Sequence, residues 1–206
     1  MAASVLGRLL AAVAGVYAGA GLALAQRAAV AAEAAAGQGA AAEQPSRLGL
    51  LRWLPAVEAA ATTPAMQPVR EAFLAYAPAA AWRQNPGYSA ATMGEAFMDG
   101  YGYVEPLGPG RAVDCAELRI GLLVLGPQLL YPDHAHPAEE IYHVVAGSAR
   151  WWREGEGWAV HGPGAMIHHP PGIRHAMETA GPPLLALYCW GGQVQPHARL
   201  TAKDAR

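Results

Sequence analysis

Glycine and proline recur every several residues through the second half of this 206-residue chain, from Phe97 onward. The runs between them are short and rich in β-branched and aromatic residues, among them AELRIGLLVLG, EIYHVVAG, ARWWREG and PLLALYCWGG. Short apolar runs that end in turn residues are typical of the strands of an antiparallel sandwich or barrel. The sequence therefore predicts a mainly β protein whose barrel occupies residues 97–206.

Residues 1–96 have a different character, because most of them favour helix. Residues 1–43 are rich in alanine and low in complexity, with a loop expected over residues 37–44. Further along, Val69, Phe73 and Tyr76 recur at helical spacing, which predicts an amphipathic helix with its apolar side toward the core. We therefore expect an α-helical N-terminal region over residues 1–96, packed against the barrel.

The charge of the chain argues against some partners. Its formal net charge is −2 and its isoelectric point is near 6.4, so it offers no broad basic surface for nucleic acid, whose binding depends on phosphate neutralisation. Much of the 53% hydrophobic content is alanine, which adds little apolar area, so we expect no membrane partner either.

Two cysteines, Cys115 and Cys189, lie in apolar runs without a CxxC pattern, and predict neither a disulfide framework nor a cysteine zinc site.

The first 26 residues allow two interpretations. One arginine, an apolar run and the sequence Ala23-Leu24-Ala25 form the outline of a signal peptide with its cleavage site. The segment also continues without a break into an alanine-rich helix pattern, and its many glycines and alanines make it weak as a membrane span. We expect a cytoplasmic protein, with a periplasmic location as the alternative if residues 1–25 are a signal peptide.

Two histidines and a glutamate lie close together in YPDHAHPAEEIYHVVAG. Residues two apart on a strand face the same way, so His134 and His136 share one face, and Glu140 shares a face with Tyr142. Imidazole and carboxylate together suit Zn, Fe, Mn, Co or Ni. His175 follows a Pro-Pro-Gly turn at the start of a predicted strand and is the best candidate for a fourth ligand.

The neighbours of these residues are less favoured as ligands. His168 and His169 compete with His175 but lie before the turn. Glu139 and His143 have the opposite parity to Glu140, so the alternation predicts that they point away from the metal.

The spacing of these ligands resembles the cupin superfamily. The first cupin motif, G-x5-H-x-H-x3,4-E-x6-G, is matched by Gly126, His134, His136, Glu140 and Gly147, with two extra residues after the first glycine. The resemblance covers roughly residues 103–193 and implies a double-stranded β-helix, or jelly-roll barrel, that holds a divalent transition metal.

The second cupin motif, G-x5-P-x-G-x2-H-x3-N, is matched by Gly164, Pro170, Gly172 and His175, with Thr179 in place of the asparagine. That asparagine is not a ligand in the family, so its replacement leaves the implied metal set complete.

A narrower resemblance, to the cupin-type dimethylsulfoniopropionate (DMSP) lyases, depends on three aromatic residues. In that family one tyrosine precedes the first ligand histidine, a second follows the glutamate by two residues, and a tryptophan on the final strand lines the pocket. Tyr131, Tyr142 and Trp190 match these positions. The helical N-terminal half is also similar. The resemblance implies a carbon–sulfur lyase that releases dimethyl sulfide and acrylate from DMSP by β-elimination.

The chemistry of DMSP assigns expected roles to these residues. A metal would stabilise charge on the substrate carboxylate, and a tyrosine beside it could act as the base, since a nearby cation favours phenolate. Either Tyr142 or Tyr131 could do this; the resemblance favours Tyr142, with Tyr131 binding or orienting substrate. Aromatic faces attract a sulfonium, which makes Trp190 and Tyr188 candidates for substrate binding.

Two other functions fit the same residues. One is a different metal-dependent cupin enzyme, such as a dioxygenase or an isomerase, because three histidines and a glutamate suit those reactions too. The other is a non-enzymatic cupin binding module. In each case the partner is a small molecule, and the exposed tryptophans and helical arm are compatible with a homodimer.

Overall fold

The computed structural model describes residues 4–201, in which six α-helices precede a set of β-strands. The helices are α1 (Val5–Tyr17), α2 (Ala23–Ala36), α3 (Leu54–Ala59), α4 (Gln67–Tyr76), α5 (Ala90–Met93) and α6 (Glu95–Gly100). The strands are β1 (Tyr101–Gly108), β2 (Val113–Asp114), β3 (Leu118–Leu125), β4 (Leu130–Ala135), β5 (Glu139–Ala146), β6 (Ala149–Arg153), β7 (Gly157–His161), β8 (Met166–His169), β9 (His175–Glu178), β10 (Leu184–Gly191) and β11 (Arg199–Leu200).

The alanine-rich segment, expected to favour helix, forms a pair of helices. A turn at residues 18–22 separates α1 from α2, and it contains two glycines, which disfavour a helix interior. The two helices pack closely at Gly7, where an added β-carbon would lie 2.5 Å from the Ala36 carbonyl oxygen. Farther along, Val69, Phe73 and Tyr76 are the buried residues of α4, as their spacing predicted.

The strands form two sheets, ordered β2-β1-β3-β10-β5-β8 and β11-β4-β9-β6-β7. From β3 to β6, and again from β7 to β11, consecutive strands alternate between the two sheets. All pairs except β1–β2 are antiparallel. This winding of two sheets around one interior is the double-stranded β-helix predicted from the sequence.

Strands β3, β5 and β10 are almost entirely buried on both faces. Their outer side chains, including Ile141 and Val145, pack in one apolar cluster with the helices. Their inner side chains, including Tyr142 and Val144, pack in a second cluster inside the barrel. The helices therefore cover the outer face of the larger sheet, while the interior of the barrel holds a separate aromatic core.

The helical region ends at Gly100 and the first strand begins at Tyr101, four residues beyond the boundary expected at residues 96 and 97. Because the helices share a core with the sheet, the division into two domains stays a prediction. None of the helices described in residues 4–201 combines the length and hydropathy needed to cross a bilayer.

Candidate metal and substrate site

Strands from both sheets bring the predicted ligands together. Strand β4 carries His134, which lies opposite His175 on β9, and β5 carries Glu140. His136 lies just beyond β4, where the Pro137-Ala138 step ends the strand. The turn before β9 contacts this loop directly, because Gly172, with φ of +77°, donates its N–H to the His136 carbonyl at 2.9 Å. The two motifs are thus joined through their backbones.

Thr179 adds a second link between the motifs. Its hydroxyl donates to the Gly126 carbonyl at 2.6 Å and accepts from the Leu129 N–H at 3.0 Å. Thr179 is fully buried, so these bonds hold the end of β9 against the turn that leads into β4. Threonine therefore has a structural function at the position where the cupin motif has asparagine.

The tightest donor cluster among the described residues consists of His136, Glu140 and His175, whose ligand atoms lie within 4.8 Å of one another. Glu140 Oε2 is 3.0 Å from His136 Nε2 and 3.3 Å from His175 Nε2. All three residues are buried. His175 Nε2 has no hydrogen bond of normal geometry, which is unusual for a buried polar atom.

The backbone sets the tautomer of each histidine. A carbonyl oxygen can only accept a hydrogen bond, so an Nδ1 that faces one must carry the proton. This holds for His134 with Pro132 O at 2.8 Å, His136 with Ala138 O at 3.0 Å, and His175 with Ile173 O at 3.1 Å. With Nδ1 protonated, the neutral form of each ring has its lone pair on Nε2, and this is the form that binds a metal.

The charge state of the cluster fits a divalent metal. Burial would raise the pKa of Glu140, but His136 and His175 outweigh it and hold the pKa well below its usual range. Burial, and then the charge of His175, lower the pKa of His134 and favour the neutral imidazole. Lone pairs and a carboxylate oxygen that converge at about 3 Å repel one another unless a cation or an added proton lies between them.

His134 lies at the edge of this cluster. Its ring is 4.2 Å from that of His175 and stacks on Tyr131 at 4.1 Å, but its nitrogens lie outside the tight group of three. The four-ligand set of His134, His136, Glu140 and His175 stays a prediction. The register of β4 against β9 shifts between Tyr131 and His134, and His134 is then paired with His175.

A cavity opens beside Glu140, with an atom-free volume of about 420 Å³ including its mouth. Its wall contains all four predicted substrate and catalytic residues, Tyr131, Tyr142, Tyr188 and Trp190. Trp190 is tied to the ligands, because its Nε1 donates to Glu140 Oε1 at 2.6 Å and its ring stacks on His136 at 4.0 Å.

The two candidate bases have different surroundings. Tyr142 interacts with the Glu140 carboxylate, and its pKa is raised well above 10 by burial first and then by Glu140. Tyr131 lies among aromatic rings and shares a 3.2 Å hydrogen bond with the Tyr88 hydroxyl. Burial raises the pKa of Tyr131 as well. Without a cation both tyrosines therefore hold their protons.

Sequence reasoning missed one wall of the cavity. Tyr101, Tyr103 and Glu105 on β1 and Arg119 on β3 line it, together with Asn85 from the segment that precedes α5. The alternation of YGYVE was the available signal, since it places the first three of these side chains on one face of β1.

The remaining predicted neighbours lie as follows. His143 points to the outer face and stacks on Tyr17 of α1, while Glu139 shares a hydrogen bond with His168 at 2.9 Å. His169 faces inward, and its ring stacks on His175 at 4.0 Å. The two-residue period of a strand therefore predicted correctly that His143 points away from the cluster. By the same alternation His169 faces inward whereas His168 does not.

A jelly roll that carries a histidine and carboxylate cluster just beyond β4 and on β5 and β9 defines a cupin. Within the cupins, the family model for dimethylsulfoniopropionate lyase matches residues 23–186. The chain belongs to the DMSP lyase family.

Individual relatives agree with this assignment. The chain is 36% identical over 140 residues to the dimethylsulfoniopropionate lyase DddQ of Ruegeria pomeroyi, covering 68% of this chain and 69% of the relative. A putative DMSP lyase, DddL of Cereibacter sphaeroides, is 41% identical over 98 residues, which are 46% of this chain and 40% of that relative.

Solved structures are similar over most of the chain. One, from the crystal structures of the DMSP lyases RdDddP and RnDddQII, has a TM-score of 0.81 at 28% identity and covers 96% of this chain and 97% of its own. The structure of DddQ from Ruegeria pomeroyi DSS-3 has a TM-score of 0.71 at 30% identity, over 81% and 83% of the two chains. The helical region therefore belongs to the shared fold.

Proposed function

We propose that this protein is a metal-dependent carbon–sulfur lyase that cleaves DMSP to dimethyl sulfide and acrylate. The observation that carries the proposal is that Glu140 belongs to the donor cluster and also lines the cavity that holds Tyr142 and Trp190. Membership in the DMSP lyase family supports the same substrate.

His134, His136, Glu140 and His175 would hold the metal, which we propose is Zn, Fe, Mn, Co or Ni, since imidazole and carboxylate accept each of them. When bound, such a metal would polarise the substrate carboxylate and stabilise the charge that builds up during elimination. The Nδ1–carbonyl bonds of His136 and His175 hold rings whose Nε2 atoms face Glu140, and the corresponding bond of His134 orients its ring at the edge of the cluster.

Tyr142 is the proposed base. It would remove a proton from the carbon next to the carboxylate, the C–H pair would become the double bond, and the bond to sulfur would break with its electrons on sulfur. Tyr142 is chosen over Tyr131 because it touches Glu140, so a cation at the cluster would lower its pKa most directly. We propose that Tyr131 binds or orients the substrate.

The aromatic wall of the cavity would receive the sulfonium. Trp190 and Tyr188 are the proposed contacts, since a cation over such rings gains about 0.5–2 kcal/mol. Trp190 contacts Glu140 and His136. A sulfonium over its ring would therefore lie next to the proposed carboxylate site, as the short DMSP molecule requires.

The test is an assay of the purified, metal-loaded protein with DMSP. We expect dimethyl sulfide and acrylate in equal amounts, without oxygen consumption and with loss of turnover after chelation. Oxygen uptake would favour a dioxygenase, and metal binding without any turnover of DMSP or its sulfonium and betaine analogues would favour a binding module. Metal analysis of the same sample identifies the ion.

A homodimer is a further proposal for the assembly. Trp158 and Val160 are exposed on β7, which is an edge strand of its sheet. Edge strands with exposed apolar side chains favour association. Light scattering of the purified protein measures the mass directly.

A further inference from the structure

The cavity wall contains a buried ionic cluster, formed by Glu105, Arg111 and Arg119 and named here the Glu105 cluster. Glu105 Oε1 accepts from Arg119 Nη1 at 2.5 Å and from Arg111 Nε at 2.6 Å. Both Glu105 and Arg119 line the cavity and are almost fully buried. Burying such charges is costly, and nothing in the proposed elimination uses them.

The second carboxylate oxygen of Glu105 forms a hydrogen bond with Tyr188. Oε2 accepts the Tyr188 hydroxyl at 2.8 Å, so the phenol gives its one proton to Glu105 and has none to offer a ligand. Burial, and then the Glu105 charge, raise the pKa of Tyr188 well above 10. Tyr188 therefore stays a neutral phenol whose oxygen is polarised by a carboxylate.

A glycine on β3 also leaves the space that the Tyr188 ring occupies. Gly121 is the register partner of Tyr188, and a β-carbon there would lie 2.4 Å from both Cζ and Oη of the phenol. A β-carbon essentially never lies within 3.0 Å of another residue's atoms, so any larger residue at position 121 would displace the Tyr188 ring. The ring is thus held from two sides, by Glu105 at its hydroxyl and by Gly121 beneath it.

We propose that Glu105 is a positioning residue that makes Tyr188 the cation-recognising face of the cavity. This inference rests on the proposed function of the site. A phenol that donates to a carboxylate carries more electron density in its ring, which strengthens its attraction for a cation. The Glu105 cluster contains two guanidinium groups and one carboxylate, so its net charge is positive. It therefore cannot act as the counter-ion of a substrate cation. Glu105 acts through the ring of Tyr188.

Two probes that lack the sulfonium group measure this recognition directly. 3-(Trimethylammonio)propanoate and 4,4-dimethylpentanoate share a carboxylate and a shape, but only the first carries a cation. Calorimetric Kd values for both with the metal-loaded protein give a cation preference, defined as the ratio of the neutral to the cationic Kd. We expect wild type to prefer the cation, and Glu105→Gln and Tyr188→Phe to lower the preference by about three- to tenfold.

The variants differ in their risk to the fold. Glu105→Gln leaves the buried Arg119 and the partly buried Arg111 without a carboxylate, whereas Tyr188→Phe leaves that ion cluster intact and removes only the hydroxyl. Glu117→Gln, which removes an exposed carboxylate paired with Arg27, is the matched control and should keep the wild-type ratio. Thermal unfolding of each variant establishes that it is folded.

The outcomes separate the inference from the proposed function. A wild type without DMSP turnover would count against the proposed function. A wild type that cleaves DMSP but shows no cation preference, or a folded Tyr188→Phe variant with the wild-type ratio, would overturn the assignment of Glu105.

Discussion

Trp190 and Glu140 are register partners on β10 and β5, and the indole Nε1 donates a 2.6 Å hydrogen bond to Glu140 Oε1. Oε2 of the same carboxylate faces His136 and His175. One glutamate thus connects the candidate metal ligands with the aromatic wall of the cavity, and Trp190 fixes which of its oxygens faces the histidines.

Trp190→Phe should weaken metal binding while the fold is kept. Phenylalanine retains an aromatic ring beside His136 but removes the donor to Glu140, and loss of such a supporting hydrogen bond costs about 10- to 100-fold in metal affinity. A chelator competition titration measures the change. Trp152→Phe is the control, because the Trp152 ring contacts Arg174 rather than Glu140. This variant should bind metal as wild type does. Equal affinity in all three proteins would contradict the prediction.

Tyr142→Phe should abolish most turnover without removing the metal. If Tyr142 is the base, its loss should lower kcat by about 10²- to 10⁴-fold, while metal content stays unchanged because all four proposed ligands are kept. Steady-state kinetics and metal analysis on one sample give both numbers. Tyr131→Phe should instead raise KM with a smaller effect on kcat. The reverse pattern would assign the base to Tyr131.

Local patterns predicted the parts of the site that depend on one strand. The two-residue period of β5 places Tyr142 inside the barrel and His143 outside, as the structure has them. The four runs named as examples of strands contain β3, β5, β6 and β10, because glycine and proline end them at the right places. The turn between α1 and α2 was missed, since alanine favours helix on both sides of its glycines.

Long-range register explains what the sequence did not predict. Glu105 and Arg119 meet Tyr188 only because β1 pairs with β3, and β3 with β10, and these pairings join residues up to 83 positions apart. No local period carries that information. The pairing of β4 with β9 likewise brings His134 opposite His175.

His169 should make the stability of the metal-free protein depend on pH. Burial, and then the charge of His175, lower its pKa to about 2, against about 6.5 in an unfolded chain. Between these two pKa values the unfolded state binds more protons than the folded state. The contribution of neutral His169 to the free energy of unfolding is therefore fully present above pH 6.5 and is lost as pH falls toward 2. His169 contributes a slope of at most about 1.4 kcal/mol per pH unit.

Urea unfolding at a series of pH values between 4 and 8 tests this dependence. Substituting His169→Phe keeps an aromatic ring against His175 and removes the titration, so the variant should lose less stability on acidification than wild type does. Curves that run parallel for the two proteins would show that His169 does not cause the dependence.

Helix α1 should be part of the stable fold rather than a removable leader. Leu9, Leu10, Val13 and Tyr17 are fully buried in the core that the helices share with the barrel. Leu10→Ala should therefore cost about 2–5 kcal/mol of unfolding free energy, whereas Val5→Ala, at an exposed position of the same helix, should cost little. Urea unfolding at neutral pH measures both.

On this basis we propose that residues 1–25 are retained and that the protein works in the cytoplasm. Cleavage after Ala25 would remove α1 and cut into the first turn of α2, which exposes the apolar side chains that α1 covers. Cell fractionation combined with the intact mass of the expressed protein tests the proposal. We expect the full-length mass in the cytoplasmic fraction; a shortened chain in the periplasmic fraction, with DMSP turnover, would show that α1 is dispensable and would overturn it.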